Sequence, residues 1–319
     1  MAPSAGRPRL LALTGPTASG KSALALELAR RLEGTILSAD SMQVYQGLDI
    51  GTAKPTAAER AEIPHELLDL VPVTSKFTPA DYTAAARAAL ERCDVAGRTP
   101  ILCGGTGQYV EAVLTGEDYS GLPYDPDLRE KLETFRQAEG LETLVHRLRE
   151  LDPLRAESID TKNPRRVIRA LEIALAGEGG GARPQPVGLQ RPAVLVILDP
   201  PRPWLWERIE TRIGRMFEAG LAAEARWLLE QNLPADQTAM QAIGYKELFP
   251  WLRGLETESQ ARERLLVATR RYAKRQRTWL RRYSRIQDLE ILHLSDSGPD
   301  VHETILAFYH VDKSPEAGV

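Results

Sequence analysis

Gly15, Pro16, Thr17, Ala18, Ser19, Gly20, Lys21 and Ser22 fit the pattern G-x-x-x-x-G-K-[ST]. A loop of this type aims backbone N–H groups and a helix N-terminus at phosphate oxygens, so it reads as a phosphate or diphosphate site. Lys21 adds a point charge, and the Ser22 hydroxyl can ligate Mg²⁺. Asp40 is a second candidate. It follows an apolar run, Thr35–Ser38, and in a parallel sheet that end of a strand opens onto the ligand crevice. Capping a helix is the other common use of such an aspartate. A third candidate is Gly104-Gly105-Thr106-Gly107, after the apolar run Pro100–Cys103; it offers a hydroxyl and close backbone approach. P-loop nucleotidases hold their metal with a further acid at a strand end. Asp199 stands in such a place, but Pro200-Pro201 follow it directly.

These groups require elements to position them. Arg9–Leu13 reads as a buried parallel strand, Lys21–Leu32 as a helix, and Thr35–Ser38 as a second strand. Thr78-Pro79 opens a helix to about Asp94, and Pro100–Cys103 is another strand. Alternating strands and helices predict an α/β fold, a parallel sheet of the P-loop NTPase type with helices on both faces. From about Gly116 to Gly177 only helices are expected: Pro126–Ala138, Leu141–Leu151, and Pro164–Ala176 capped by Asn163. The stretch GEGGGARPQPVGLQRP then reads as a mobile linker. A strand returns at Ala193–Leu198, and helices dominate from Trp204 onward. The expected organisation is a core of residues 1–116 and 186–312, interrupted by a mostly helical insertion at 117–185 and ending in basic helices. Residues 313–319 are expected to fray.

The 319 residues hold 41 Lys+Arg against 44 Asp+Glu, a net charge of −3. Between Arg262 and Arg285, however, stand ten basic residues and one acid, Glu263. A dense basic segment in an acidic chain points to a localised polyanion site. On a helical wheel Leu265, Ala268, Tyr272, Trp279 and Tyr283 form one stripe, expected to be core. Arg271, Lys274, Arg275, Arg281 and Arg282 occupy the remaining arc, either facing phosphates or pairing with acids elsewhere. No apolar run of membrane-spanning length and no secretory signal is evident. Cys93 and Cys103 cannot build a disulfide framework. The five histidines lack metal-ligand spacing. A soluble cytoplasmic protein is expected.

Several separated segments together resemble the tRNA dimethylallyltransferases (tRNA isopentenyltransferases). They are GPTASGKS (15–22), SADSMQVYQGLDIGTAKP (38–55), GGTGQY (104–109), NPRRVIRALEI (163–173), RIETRIGRMFEAGL (208–221), AIGYKE (242–247) and YAKRQRTW (272–279). The second and last are highly specific, whereas very many enzymes share the P-loop. Departures are Gln108, where the family commonly has Leu, and Pro64-His65 in place of a His-His pair.

The resemblance implies transfer of a dimethylallyl group from dimethylallyl diphosphate to the exocyclic amine of adenosine 37, in tRNAs reading codons that begin with U. It also implies a P-loop-type core with a helical insertion embracing the anticodon stem. Gly15–Ser22, Arg208 and Arg212 would hold the diphosphate, with Mg²⁺ as cofactor on Ser22. Asp40 would be the catalytic base, and Thr106 would lie near both diphosphate and amine. Asp40, Ser41, Met42, Gln43 and Thr106 would meet the adenosine. Arg165, Arg166, Arg169, Lys274, Arg275, Arg281 and Arg282 would contact the rest of the anticodon stem-loop. No membrane partner is implied, and a monomer is expected. The alternative is a P-loop small-molecule or nucleotide kinase, which shares loop and sheet but leaves the basic segment and SADSMQVY without a role.

Overall fold

The five residues of β1 (Leu10–Thr14) are buried along their whole length. Leu10 and Ala12 enter one core and Leu11 and Leu13 another, the two-residue period of a strand covered by helices on both faces. The computed structural model describes residues 8–117, 125–176, 188–295 and 300–310.

From β1 the chain turns through the glycine-rich loop into α1 (Lys21–Arg31) and then β2 (Gly34–Ser38). α2 (Ala57–Glu62) and the two-residue β3 (His65–Glu66) follow. α3 (Pro79–Ala96) begins at a Thr78 capping box with Pro79 in its first turn. β4 (Thr99–Gly104) and α4 (Gly107–Thr115) come next. β5 (Ala193–Leu198) and β6 (Glu290–Leu294) complete a six-stranded sheet of order β3-β2-β4-β1-β5-β6, parallel at every pairing. With β4 between β1 and β2, the loops after these three strands emerge side by side at the carboxyl end of the sheet, where α/β folds bind ligands.

The chain forms two compact units, Met1–Gly116 with Val187–Val319, and Glu117–Pro186. The second holds α5 (Pro126–Glu139), α6 (Leu141–Leu151), α7 (Pro153–Ser158) and α8 (Pro164–Leu175). Leu132, Leu144, Leu148, Val167 and Leu171 form its core. Asn163 caps α8 by accepting from the Arg165 and Arg166 N–H groups. Inside this unit the buried Glu172 faces Arg169 at 3.0 Å and Arg129 at 3.6 Å.

In the first unit, α9 (Arg202–Glu218), α10 (Leu221–Glu230), α11 (Phe249–Leu252) and the 23-residue α12 (Glu258–Leu280) gather round a further core. That core includes Val44, Tyr45 and Leu48, so the segment after β2 is locked into the C-terminal helices. α13 (Val301–Tyr309) packs beside α1 through Ile305.

Two sequence-based expectations change. Helices dominate after Trp204 as expected, but Glu290–Leu294 is a strand that the sequence reading does not include. As an edge strand its burial is only partial, so no continuous apolar run marks it. Tyr283 was placed on the helical stripe. α12 stops at Leu280, and Tyr283 sits in the following 3-10 turn. Residues 177–187 of the expected linker and the tail at 313–319 fall outside the described residues. Among the described residues no helix is long and apolar enough to cross a membrane.

Candidate active site

The glycine-rich loop is shaped from three directions. Internally, Ser19 N–H donates to the Pro16 carbonyl at 3.2 Å, while Ala18 (φ 65°) and Gly20 (φ 94°) take left-handed conformations. From α9, Arg208 donates to the Ala18 carbonyl at 3.1 Å, with its guanidinium 4.6 Å over Trp204. One turn on, Arg212 donates to the Thr17 hydroxyl at 3.0 Å. From α12, Gln276 accepts from Thr17 N–H at 2.8 Å and donates to the Gly105 carbonyl at 2.9 Å. One buried amide thus joins the phosphate loop to the loop after β4. Lys21 reaches back to the Pro16 carbonyl at 3.1 Å. Burial pushes the Lys21 pKa down, and the positive charge of Arg212 adds to that, against Cys103 and Asp40, which raise it. Burial likewise depresses Arg212.

Nothing in the sequence marks Gln276. Glutamine within a run of basic residues gives no sign that it is buried. Its replacement by leucine leaves the Thr17 N–H and the Gly105 carbonyl unpaired. At about 1–3 kcal/mol for the buried Gly105 carbonyl left unsatisfied, with the half-buried Thr17 N–H open to water, Gln276→Leu is expected to lower unfolding stability by about 1–3 kcal/mol, measured by urea denaturation.

Asp40 lies just beyond β2, where its Oδ1 accepts from Met42 N–H at 2.9 Å. The aspartate therefore orders its own turn. Its other oxygen has no hydrogen bond among the described residues. Thr106 precedes α4 but does not cap it. Its hydroxyl accepts from Ser41 N–H at 3.0 Å and its N–H donates to the Ala39 carbonyl at 3.0 Å, binding the two loops together. Gly104 is required there, since a Cβ would stand 2.1 Å from the Ala39 carbonyl oxygen.

A cavity of about 240 Å³ opens beside these groups, with Thr106, Lys21, Ser22 and Arg208 outside its lining. Asp40, Ser41 and Met42 line it, together with Thr17, Arg212 and Arg275. Ile209, Ile213, Met216 and Leu265 give it an apolar wall, and Tyr272 joins them. Tyr272 was expected in the core; it faces the cavity, and burial pushes its hydroxyl pKa up. Gln43 is placed differently. Its amide accepts from Ser38 at 2.7 Å and donates to the Thr52 and Ala53 carbonyls, so it supports the loop of which Thr52 lines the cavity. His65 remains on edge strand β3, bonded to the Ile63 carbonyl.

The basic segment divides. Arg262 pairs with Glu258, Arg264 with Glu256, and Arg270 with Glu210. Arg277 binds Asp199 at 2.6 Å, which engages the candidate metal-holding acid in an ion pair. Arg282 stacks over Trp279 and faces Glu111. Arg271, Lys274, Arg275, Arg281 and Arg285 make no ion pair among the described residues. In the second unit Arg165 and Arg166 stand at the N-terminus of α8, whose dipole favours an anion there. Among the described residues no group of three His, Cys, Asp or Glu could hold a metal ion.

A family model described as IPP transferase matches residues 43–283. A tRNA dimethylallyltransferase 1 of Trichlorobacter lovleyi is 45% identical over 285 residues, covering 86% of this chain and 91% of the relative. A tRNA dimethylallyltransferase of Salinispora tropica is 45% identical over 283 residues, 88% of each chain. Among solved structures, the tRNA isopentenylpyrophosphate transferase of Bacillus halodurans superposes with a TM-score of 0.66 at 37% identity, covering 94% of this chain and 96% of its own. A eukaryotic dimethylallyltransferase described as acting on tRNA gives a TM-score of 0.76 at 26% identity, covering 94% of this chain and 78% of its own.

Proposed function

Because the chain belongs to the IPP transferase family, we propose that it transfers a dimethylallyl group from dimethylallyl diphosphate to the exocyclic amine of adenosine 37 in tRNAs reading codons that begin with U. It is an enzyme, a tRNA prenyltransferase. The observation that carries the detailed reading is a cavity lined together by Asp40, by the phosphate-loop residue Thr17 with Arg212, and by the apolar residues of α9 and α12. A base, a diphosphate cradle and a surface for a short prenyl chain are what this reaction needs in one place. A kinase uses the first two only, and that alternative is not favoured.

The allylic C–O bond of the donor breaks and its electron pair departs with the diphosphate. The loop N–H groups, Lys21 and Arg212 stabilise that charge as it develops. The adenosine nitrogen forms the new C–N bond, and its proton passes to Asp40. That amine is a weak nucleophile because its lone pair is delocalised into the ring, so accepting the proton is worth much of the rate. The target base must leave the loop stack, which costs a few kcal/mol and least in a single-stranded loop. The Ser22 hydroxyl is the protein oxygen offered beside the loop, so Mg²⁺ would take its other ligands from substrate phosphates and water. Ser22, exposed at the start of α1, would hold it, and the bound ion would neutralise leaving-group charge.

The unpaired cations of α12 and its end are assigned to tRNA phosphates, as are Arg165 and Arg166; Arg169 and Arg282 would contact RNA beside their own acidic neighbours. Removing Lys274, Arg275 and Arg281 together is expected to weaken stem-loop binding and flatten its salt dependence, by about 0.7–0.9 in log–log slope for each phosphate no longer neutralised. The paired Arg264 should leave the slope unchanged when replaced. Binding titrations from about 50 to 200 mM salt separate the two. A cytoplasmic, monomeric enzyme completes the proposal.

The direct test incubates the protein with Mg²⁺, labelled dimethylallyl diphosphate and unmodified anticodon stem-loops carrying adenosine or guanosine at position 37, with AMP as a third acceptor. Label in the adenosine loop alone is expected. Label on AMP would reassign the acceptor, and no transfer by folded protein would overturn the reading.

A further inference from the structure

Glu224 lies on α10, outside the cavity lining, yet its carboxylate gathers a whole turn of backbone. It accepts from Asp49 N–H at 2.9 Å, from Ile50 N–H at 2.9 and 3.0 Å, and from Gly51 N–H at 2.9 Å. The Tyr245 hydroxyl donates to it at 2.6 Å. Three successive N–H groups converging on one anion form a nest, here filled by the protein's own side chain. Tyr245 is fully buried, and its ring lies against Gly51 so closely that a Cβ there would stand 2.5 Å from Cζ. Gly51 and Thr52 form part of the cavity lining, as do Ala242, Ile243, Gly244 and Lys246 around Tyr245. The far end of the same loop is clamped by Lys54, whose ammonium meets the Tyr45 carbonyl, Asp49 and Asp69.

We propose that Glu224 is a positioning residue: with Tyr245 it holds the backbone of residues 49–51 against the 242–246 segment, and so sets the shape of the wall that receives the target adenosine. The inference rests on the acceptor proposed above, because this wall shares the cavity lining with Asp40, Ser41 and Met42, the residues given to the adenosine. The donor end of the cavity is built by different residues, on the phosphate loop and α9, so the two substrates should respond differently when this wall loosens. Charge is central. An amide at this position can accept on one atom only, and its NH₂ would face N–H donors.

The test compares wild type, Glu224→Gln and Tyr245→Phe in the labelled-transfer assay, with stem-loop and donor varied separately. Loss of a hydrogen bond to a charged group predicts about a ten-fold higher stem-loop KM for Glu224→Gln. Donor KM and kcat should stay within about three-fold. Tyr245→Phe keeps the packed ring and removes one bond, so it should show the same split at smaller size, and the double variant should be less than additive. Hydrogen exchange of the amides at 49–51 should accelerate about ten-fold in Glu224→Gln while that of the phosphate loop does not change. Equal effects on both substrates, or a loss of thermal stability with stem-loop KM unchanged, would overturn the proposal. If Glu224→Gln does not fold, an unchanged stem-loop KM in Tyr245→Phe would overturn it instead. A wild type that labels no stem-loop would overturn the acceptor assignment itself; unaltered exchange at 49–51 in the variant would overturn the positioning role alone.

Discussion

Asp40→Ala is expected to lower the single-turnover rate of prenyl transfer about 10²–10⁴-fold, the usual worth of a positioned general base. Donor and stem-loop affinities should change little, because the phosphate loop and the basic helix are built without Asp40. A subtler variant separates chemistry from architecture. Asp40 also accepts from Met42 N–H, so alanine removes both a base and a turn contact. Asp40→Asn keeps an oxygen to accept that bond but offers no carboxylate to take the amine proton. If Asp40 is the base, the asparagine variant should be about as slow as the alanine one. Near-normal single-turnover transfer by Asp40→Asn would reduce Asp40 to an ordering residue.

The second large effect is expected at Lys21. Lys21→Met keeps the aliphatic stem and deletes the charge. Removing one preorganised donor from a developing anion costs about 10²–10³-fold in rate, and the donor KM should rise as well. The environment of Lys21 adds a pH signature. Burial lowers its pKa below the ordinary lysine value, and neighbouring Arg212 does the same. The protonated form is the one that binds diphosphate, so kcat/KM should fall as pH rises through this depressed pKa, earlier than an exposed lysine would allow. kcat/KM reports the free enzyme's groups, so the alkaline limb should be present in wild type and missing in Lys21→Met. A limb that survives the substitution would belong to another group.

Much of this site follows from local spacing. The phosphate loop is eight consecutive residues bounded by a strand and a helix, so its existence and place in the fold are legible from the sequence alone. Asp40 and Thr106 each stand at the end of a short apolar strand, and parallel pairing of β2 with β4 brings such ends together. The helix starts at Pro79, Pro126 and Pro164 carry their own caps at Thr78, Asp125 and Asn163. The edge strand β6 is hidden from a reading of apolar runs because only one strand pairs with it and its residues remain half-exposed. Tyr272 was assigned to the core because an aromatic at helical spacing looks the same whether it meets side chains or an open cavity.

What the sequence determined by itself was therefore the chemistry available: a phosphate cradle, a carboxylate and a hydroxyl at strand ends, and a cationic segment. Tertiary structure alone decided how these groups are held. Gln276 joins Thr17 and Gly105 across separations of 259 and 171 residues. Arg212 meets Thr17 across 195, and Glu224 gathers Asp49, Ile50 and Gly51 from nearly as far along the chain. The basic run looked uniform, yet Arg262, Arg264, Arg270, Arg277 and Arg282 meet acids, and for the last three those acids come from distant parts of the chain. A side chain's type and its place in a helix or strand are local properties, set within a few residues. Its partner depends on which distant backbone the packed cores deliver to it, and no spacing along the chain encodes that.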